Sequence, residues 1–138
     1  MKETRDEESI VRRNTRQKAL VLDAVREHRD HPTADSIYLD VREKNNRVSK
    51  GTVYRNLKEL SRTGEVNHLS VPGADRYDRR TDPHPHVICT LCGRVEDAVV
   101  DYDFSLDDRV SRSTGYHVAL HQTVFEGICP ECLKKGLK

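Results

Sequence analysis

Four cysteines occur as two Cys-x-x-Cys pairs, Cys89 with Cys92 and Cys129 with Cys132. A two-residue gap allows both thiolates of a pair to bind one metal ion. In a reducing compartment such pairs favour a metal over disulfides, and buried free thiols or a redox pair are the remaining interpretations. Four thiolates around Zn(II) leave no open coordination position, which is typical of a structural site. The pattern therefore predicts a structural zinc site without which the carboxyl-terminal half does not fold.

A His-x-His motif, His84 and His86, precedes the first cysteine pair. On an extended strand these two side chains project to the same side, about 7 Å apart along the chain. Imidazole suits iron, zinc and nickel, and carboxylates shift the preference towards harder ions such as manganese. The carboxylates nearest in the sequence belong to Asp78, Asp82 and Asp97. The motif predicts a second metal site with nitrogen and oxygen donors, and two surface histidines are the alternative.

The composition limits how the rest of the chain can support these sites. The 138 residues allow one large domain or two small ones, and 35% of them are hydrophobic while 34% are charged. Half a chain of this length buries little apolar surface and usually needs a metal, disulfides or a partner chain. The sequence contains no apolar run of membrane-spanning length, and its first residues contain no signal-peptide core. We therefore expect a cytoplasmic protein that does not associate with membranes.

Charge is distributed unevenly along the chain. Residues 1–80 contain 18 basic and 14 acidic side chains, a net +4, and residues 81–138 contain 6 and 9, a net −3. A basic amino-terminal half and an acidic carboxyl-terminal half are typical of a nucleic-acid-binding domain joined to a non-binding domain.

The amino-terminal half has the pattern of a winged helix-turn-helix. After a mobile segment at residues 1–13, the first helix is predicted from Asn14 or Thr15 to about His28. Two further helices follow, the second capped by Thr33 and the third capped by Ser49. A hairpin is predicted after them from turn residues between two short β-rich runs. The second and third helices end near residues 45 and 61, and the hairpin covers residues 66–71 and 75–78.

The third helix has one apolar face and one face rich in hydrogen-bond donors. Val53, Leu57 and Leu60 share the apolar face, while the other face suits contact with the DNA major groove. Tyr54 and Arg55 are the candidates for base contacts. Phosphate contacts are expected from Lys18, Lys50 and Arg76. The complete set of predicted DNA-binding residues is Lys18, Lys50, Thr52, Tyr54, Arg55, Asn56 and Arg76.

The carboxyl-terminal half is predicted to be a small α/β unit. Two strands at residues 87–89 and 95–100 flank a turn, a helix runs from Ser105 to Thr114, and residues 116–127 form a β-rich run. The predicted fold class is therefore α+β. The DNA-binding domain is expected at residues 1–80 and the metal-binding dimerisation domain at residues 81–138, with a hinge at residues 81–86.

Four motifs in order resemble the ferric uptake regulator (Fur) family over about residues 14–133. They are His31-Pro32-Thr33-Ala34-Asp35, Thr52-Val53-Tyr54-Arg55-Asn56-Leu57, His84-Pro85-His86-Val87-Ile88-Cys89-x-x-Cys92-Gly93 and Cys129-x-x-Cys132. Members of that family are dimeric, metal-responsive bacterial repressors. The resemblance implies a homodimer that binds a double-stranded DNA operator. It also implies that the four cysteines hold structural zinc.

The resemblance further implies a regulatory metal site that joins the two domains. Its ligands would be His31, Asp78, His84, His86 and Asp97. Aspartate at both carboxylate positions is similar to the peroxide-sensing (PerR) branch, because iron-sensing members more often have glutamate there. The implied regulatory metal is Fe(II) or Mn(II). With Fe(II), peroxide would oxidise His31 or His86, break ligation and release the DNA.

One departure from the family pattern concerns a further metal site found in many members. That site uses a histidine just before the His-x-His and an aspartate between its two histidines, and here those positions are Pro83 and Pro85. Only His121 of that set remains. We therefore expect no such site, and a structural role for His121.

Three other functions remain as alternatives. The first is an iron- or zinc-responsive repressor of the same family with no peroxide sensing. The second is a zinc hydrolase with an open site at His31, His84 and His86, which lacks an evident general base or substrate pocket. The third is an interaction module with a zinc ribbon, which would not explain the basic third helix. The expectation is a regulator and not an enzyme.

Overall fold

The structure is a computed structural model that describes residues 2–136, with side chains described from residue 7 onward. The chain divides into two compact units, Met1–Thr81 and Asp82–Lys138. Within residues 2–136, every helix is too short or too polar to cross a membrane.

The first unit contains three helices followed by a two-stranded hairpin. Its elements are α1 (Lys2–Glu27), α2 (Ala34–Lys44), α3 (Lys50–Arg62), β1 (Asn67–Leu69) and β2 (Arg76–Asp78). The two strands pair antiparallel, with His68 opposite Tyr77. The predicted winged helix-turn-helix is confirmed in element order and type.

Aliphatic side chains from all three helices form the core of this unit. They repeat at the three- and four-residue spacing of an amphipathic helix, and the apolar face predicted for the third helix is buried. The fully buried side chains are Val21, Val25, Ile37, Val41, Val53, Leu57 and Leu60. The packing fixes α2 and α3 against α1 and so orients the donor-rich face of α3.

Local signals placed the ends of α2 and α3 correctly. The Thr33 hydroxyl accepts a hydrogen bond from the Ser36 amide, and the Ser49 hydroxyl accepts one from the Thr52 amide. Each bond satisfies an amide that has no partner inside the helix. Gly64, just past α3, has a φ of 81°, the left-handed conformation that glycine adopts without strain.

The predicted start of the first helix was wrong, because α1 already begins at Lys2. Residues 2–13 contain no glycine or proline, and opposite charges four residues apart, such as Glu8 and Arg12, favour helix. The Thr15 hydroxyl bonds to the Val11 carbonyl inside the helix instead of capping a helix start. Met1, part of the segment expected to be mobile, lies outside the described residues.

The second unit combines a three-stranded sheet with two helices. The sheet order is β4-β3-β5, with β3 antiparallel to β4 and parallel to β5. The elements are β3 (His86–Cys89), β4 (Val95–Asp97), α4 (Phe104–Thr114), β5 (Val124–Gly127) and α5 (Pro130–Lys134). The predicted α/β character of this half is confirmed.

Strand lengths in the second unit differ from the prediction. β4 ends at Asp97 instead of residue 100, because the Val100 amide turns back to the Ala98 carbonyl. Residues 116–123 form no strand, although their composition favours one. A strand requires a neighbouring strand for its backbone hydrogen bonds, and β-rich composition does not supply that neighbour.

The helices of the second unit also differ in detail. α4 is capped by Asp103, which accepts from the Ser105 amide, and not by Ser105 itself. The sequence interpretation missed α5, which begins at Pro130 directly after Cys129. Proline fits the first turn of a helix because its missing N–H is not needed there.

Candidate metal centres

The four cysteines come together at one end of the second unit. One ligand atom from each of Cys89, Cys92, Cys129 and Cys132 lies within 4.8 Å of all the others. The Sγ atoms of Cys89 and Cys132 are 3.8 Å apart, and those of Cys92 and Cys129 are 3.7 Å apart. Cys89 is the last residue of β3 and Cys92 lies in the turn after it, while Cys129 is the N-cap residue of α5 and Cys132 lies within that helix. Because β3 and β5 are adjacent, the sheet itself brings the two pairs together.

These distances fit a tetrahedral zinc site. With Zn–S bonds of about 2.3 Å, the sulfurs of a regular tetrahedron are separated by about 3.8 Å. All four cysteines are free thiols, and the separations are far longer than a disulfide bond of about 2.05 Å. The donor set and its spacing therefore match structural zinc without rearrangement of the chain.

The backbone around Cys89 is arranged to stabilise a thiolate. The amides of Cys129 and Cys92 both donate to its Sγ at 3.4 Å. These bonds, with that of Cys129 the stronger, lower the pKa of the Cys89 thiol to about 6. Contact with Cys129, together with burial, raises the pKa of Cys132 to about 12. A bound cation would remove this repulsion between neighbouring thiolates, because its positive charge is shared by all four sulfurs.

A second group of ligands lies around the start of β3 in the same unit. His86 pairs directly opposite Asp97 across β3 and β4. Asp97 Oδ1 lies 3.1 Å from His84 Nε2 and 3.4 Å from His86 Nε2. The two imidazole rings are 4.3 Å apart, and both histidines are buried. Ligand atoms bound to one ion at about 2.1 Å are separated by about 3.0–3.4 Å, so these distances fit a shared metal.

A backbone contact determines the tautomer of His84. Its Nδ1 lies 2.6 Å from the carbonyl oxygen of Asp82, which can only accept, so Nδ1 carries the proton. A metal ion bound at Nε2 would then lie beside the carboxylate of Asp97, whose charge favours it. This outer hydrogen bond is the kind that orients metal-bound histidines. No residue pattern indicated the role of the Asp82 carbonyl.

The first unit contains a separate His–Asp pair. His31 Nε2 lies 3.3 Å from Asp78 Oδ2, and both side chains are buried. The loop before α2 is fastened to β2, because Arg76 donates to the His31 carbonyl and the Tyr77 amide donates to the Pro32 carbonyl. Asp78, the last residue of β2, accepts from the Arg80 amide through its other oxygen. Two ligands far apart in sequence are thus held together in this unit.

The predicted DNA-binding residues of α3 are largely on its exposed face. Tyr54 donates to Asp35, which also lies 3.1 Å from the Lys50 ammonium. Arg55 donates to the Thr52 hydroxyl at 3.1 Å, and Asn56 donates to the Thr52 carbonyl at 3.0 Å. Asn56 is half-buried, and its bond to the helix backbone limits how far it can reach outward.

The other two predicted phosphate contacts, like Lys50, have partners within the protein. Lys18 forms an ion pair with Glu65 at 3.6 Å. Arg76, the first residue of β2, is half-buried and donates to the carbonyl of His31 in the loop before α2. In this structure Arg76 therefore stabilises the loop that carries a predicted metal ligand.

Sequence reasoning missed a basic groove between α1 and the turn that joins α2 to α3. The groove has a volume of about 540 Å³ and contains three arginines, Arg13, Arg16 and Arg47. The spacing of Arg13 and Arg16 on one helix face was a usable signal. Arg47 comes from another part of the chain, so only the packing of the helices brings it to the same groove.

His121 participates in a hydrogen-bonded cluster with Tyr102 and Asp107. Its Nδ1 lies 2.6 Å from Asp107 Oδ1, and its amide donates to the Tyr102 hydroxyl at 2.9 Å. The Tyr102 hydroxyl bonds the other carboxylate oxygen, which together with His121 holds the pKa of buried Asp107 below its usual value. Among the described residues, His121 belongs to no group of three or more close metal-ligating side chains. The absence of a further metal site here stays a prediction.

Comparison with known proteins gives consistent results. The model of the family described as "Ferric uptake regulator family" matches residues 10–126. The "Peroxide operon regulator" of Bacillus subtilis is 34% identical over 124 residues, covering 89% of this chain and 86% of the relative. The "Ferric uptake regulation protein" of the same organism is 32% identical over 108 residues, covering 75% and 72%.

A solved structure is similar over almost the whole chain. The Campylobacter jejuni peroxide stress regulator superposes with a TM-score of 0.75 at 26% sequence identity, covering 96% of this chain and 100% of that one. The predicted α+β fold class is confirmed by this likeness. The match of the family model, the identity to curated relatives and the shared fold agree with the motifs, and the chain belongs to the ferric uptake regulator family.

Proposed function

We propose that this chain is a metal-dependent, DNA-binding transcriptional repressor that senses peroxide through Fe(II)-catalysed oxidation of a histidine ligand. The observation that carries the proposal is the pair of His–Asp ligand sets, one in each unit, in which every ligand except Asp97 is buried. Its relatives include the "Peroxide operon regulator" of Bacillus subtilis at 34% identity and the "Peroxide-responsive repressor PerR" of Staphylococcus epidermidis at 31% identity. We assign no catalytic role, because family members are transcription regulators.

The first metal in this proposal is structural Zn(II) bound by the four cysteines. Sulfur separations of 3.7 and 3.8 Å support the assignment, since they match the edges of a zinc–thiolate tetrahedron. Zinc-bound thiolates are shielded by the cation, so we expect the cysteines to resist mild oxidant. Zinc would hold the second unit folded while the sensor responds elsewhere.

The second metal is a regulatory Fe(II) or Mn(II) bound by ligands from both units. His31 and Asp78 would come from the first unit, and His84, His86 and Asp97 from the second. Support comes from the donor chemistry, because three imidazoles and two carboxylates suit Fe(II) and Mn(II) better than the softer thiolate-binding metals. Each pair has ligand-to-ligand distances of 3.1–3.4 Å, which one ion can span without moving the pair.

Such a site would link metal binding to DNA binding through the hinge at residues 81–86. An ion that binds ligands from both units favours the arrangement in which all five reach it, and so shifts the population towards that arrangement. In a homodimer, this would set two α3 helices at operator spacing, with half-sites about 34 Å or a multiple apart. We accordingly propose a DNA-binding domain at residues 1–80, a dimerisation domain at residues 81–138 and a cytoplasmic location.

Peroxide sensing would follow from the identity of the ligands. Fe(II) held by these ligands would supply the electron transfer that activates peroxide beside its histidine ligands. Overall, one H2O2 would oxidise His31 or His86 by two electrons, adding one oxygen atom to the ring and releasing the other oxygen as water. The oxidised ring would lose the basicity that ligation requires and would leave the site. Loss of either histidine from the site would free one unit from the other and release the operator. Mn(II) would support the DNA-binding state without this chemistry.

A second candidate function is an iron- or zinc-responsive repressor without peroxide sensing. It is favoured by the 32% identity to the ferric uptake regulation protein of Bacillus subtilis. The two candidates share the metal-dependent step and differ only in the response of the metal-loaded protein to oxidant.

The test is operator binding with Mn(II), Fe(II) and Zn(II), each with and without peroxide. A duplex selected by the protein itself from a random pool serves as operator. We expect tight binding with Mn(II) and Fe(II), and a loss on adding peroxide only with Fe(II), accompanied by one added oxygen on a His31 or His86 peptide. Peroxide-insensitive binding with Fe(II) would support the second candidate. Oxygen appearing first on a cysteine peptide would contradict the histidine mechanism.

A further inference from the structure

Asp35 is an acidic side chain among residues that should approach DNA. It lies in the first turn of α2, and one of its oxygens, Oδ1, accepts from the Tyr54 hydroxyl. The same oxygen lies 3.1 Å from the Lys50 ammonium. Lys50 also sits 5.8 Å from the centre of the Tyr54 ring. One carboxylate oxygen thus contacts two of the predicted DNA-binding residues.

The contact has an electrostatic cost when the protein meets a polyanion. A carboxylate beside the reading face repels phosphates, so on charge alone Asp35 weakens binding to any DNA sequence. The hydrogen bond raises the pKa of Tyr54, and the Tyr54 bond lowers the pKa of Asp35. Both directions describe a neutral hydroxyl donating to a charged carboxylate. Any benefit of Asp35 to DNA binding must therefore come from the orientation that it imposes on Tyr54 and Lys50.

Exposed tyrosine and lysine side chains otherwise choose among several rotamers. Tyr54 is 42% exposed on α3, and Lys50 begins the same helix. A hydrogen bond that selects one rotamer before binding removes an ordering cost from the complex. The benefit appears only where the held orientation matches the base pairs, which is a contribution to specificity and not to general affinity.

The first turn of α2, which carries Asp35, directly follows the loop that carries the proposed metal ligand His31. The His31 and Pro32 carbonyls accept from β2, and the Thr33 hydroxyl caps α2 by accepting from the Ser36 amide. Asp35 lies four residues after His31. A restraint on His31 would therefore reach the carboxylate that contacts Tyr54 through a short, hydrogen-bonded segment.

We propose that Asp35 is a positioning residue that holds Tyr54 in its base-reading orientation and Lys50 in position for phosphate contact, and that it ties this arrangement to the loop of the proposed metal ligand His31. The proposal rests on the proposed function, because it adds a step to the way in which metal binding affects DNA binding. Asp35 makes no base contact in this scheme. It acts through Tyr54, whose hydroxyl it orients, and through Lys50.

The proposal predicts opposite changes in general affinity and in specificity. Asp35→Ala removes a charge, so binding to random DNA should tighten. The same change frees Tyr54, so the ratio of operator affinity to random-DNA affinity should fall by about threefold to fivefold, the scale of an exposed charge-assisted contact. Asp35→Asn loses the charge but keeps an acceptor oxygen, and it should keep most of the ratio.

The experiment uses the full-length, Mn(II)-loaded protein with the self-selected operator and a random duplex at one salt concentration. Variants are Asp35→Ala, Asp35→Asn, Tyr54→Phe and the double variant of Asp35→Ala with Tyr54→Phe. Glu43→Ala is the matched control, since Glu43 is an exposed acid on the same helix and its loss removes the same charge. We expect the double variant to lose no more specificity than Tyr54→Phe alone, and Glu43→Ala to keep the wild-type ratio.

The outcomes separate this proposal from the proposed function. If wild-type protein binds the operator no better with Mn(II) than without it, the proposed function fails. If it does bind better but Asp35→Ala keeps the wild-type ratio, or the double variant shows additive losses, the role of Asp35 is refuted. A smaller Mn(II)-induced gain in operator affinity for Asp35→Ala, with unchanged Mn(II) affinity in the absence of DNA, supports the tie to His31.

Discussion

Replacing Cys132 with serine should unfold the second unit and leave the first unit folded. Cys132 is buried, and its Sγ lies 3.8 Å from that of Cys89. Serine is smaller and its neutral hydroxyl is a poor zinc ligand, so the tetrahedral site loses one of its four donors. The remaining three cysteines cannot close the coordination sphere by themselves.

The magnitude follows from how little apolar surface the second unit buries. Between residues 82 and 136, the buried aliphatic side chains are Ile88 and Val95. At about 2 kcal/mol each they contribute roughly 4 kcal/mol, whereas a structural zinc site in small peptides contributes about 10–16 kcal/mol. A unit of this length is stable by only about 3–8 kcal/mol. The free energy lost with zinc is therefore larger than the free energy of unfolding of the second unit.

The assay is far-ultraviolet circular dichroism with a thermal scan, alongside a colorimetric measurement of bound zinc. We expect Cys132→Ser to bind less than one zinc per chain, to lose the sheet signal and to retain a helical transition from the first unit. Zinc removal from wild-type protein by a chelator should give the same spectrum, which excludes a local effect of the substitution. An unchanged spectrum and melting curve in zinc-free protein would refute the reasoning.

Three further predictions concern the regulatory site, pH and DNA. Asp97→Asn should lower Mn(II) affinity at least tenfold by calorimetric titration, because a charged ligand is lost, while exposed His117→Ala should not change it. Burial alone would lower the pKa of His28, but its hydrogen bonds to Asp40 and Asp30 outweigh that effect, and the pKa lies above the ordinary value. Stability from protonated His28 is thus complete below about pH 6.5 and is lost as pH rises through the raised pKa, so urea midpoints of wild type and His28→Gln should converge at alkaline pH. Arg55→Ala should reduce operator preference, and equal losses on operator and random DNA would contradict that; Lys50→Ala should weaken both and lower the salt slope by about 0.9.

Much of the fold was predictable because its signals are local in sequence. Thr33 and Ser49 cap their helices because their hydroxyls reach amides three residues ahead. The apolar spacing of Val53, Leu57 and Leu60 predicted the buried face of α3. The start of α1 was missed for a related reason, since Thr15 resembles a cap but bonds to the preceding turn of a continuous helix.

Contacts between distant residues could not be predicted in this way. No sequence signal links Asp35 to Tyr54, or the Asp82 carbonyl to His84 Nδ1. Residues 116–123 have strand-like composition, yet whether they form a strand depends on a neighbour to pair with. Each of these outcomes depends on how helices and strands pack.

The sequence by itself determined the chemistry of this protein. Two-residue gaps make the cysteine pairs chelating, because chain connectivity alone keeps both sulfurs within reach of one ion. Tertiary structure decided which side chains distant in the sequence come together, such as Asp35 with Tyr54 and Arg47 with the arginines of α1. Those arrangements depend on how the helices pack. Burial of Ile37, Leu57 and the rest of the core determines that packing, because it sets which helix faces meet. Residue spacing within one helix does not specify which other helix it meets.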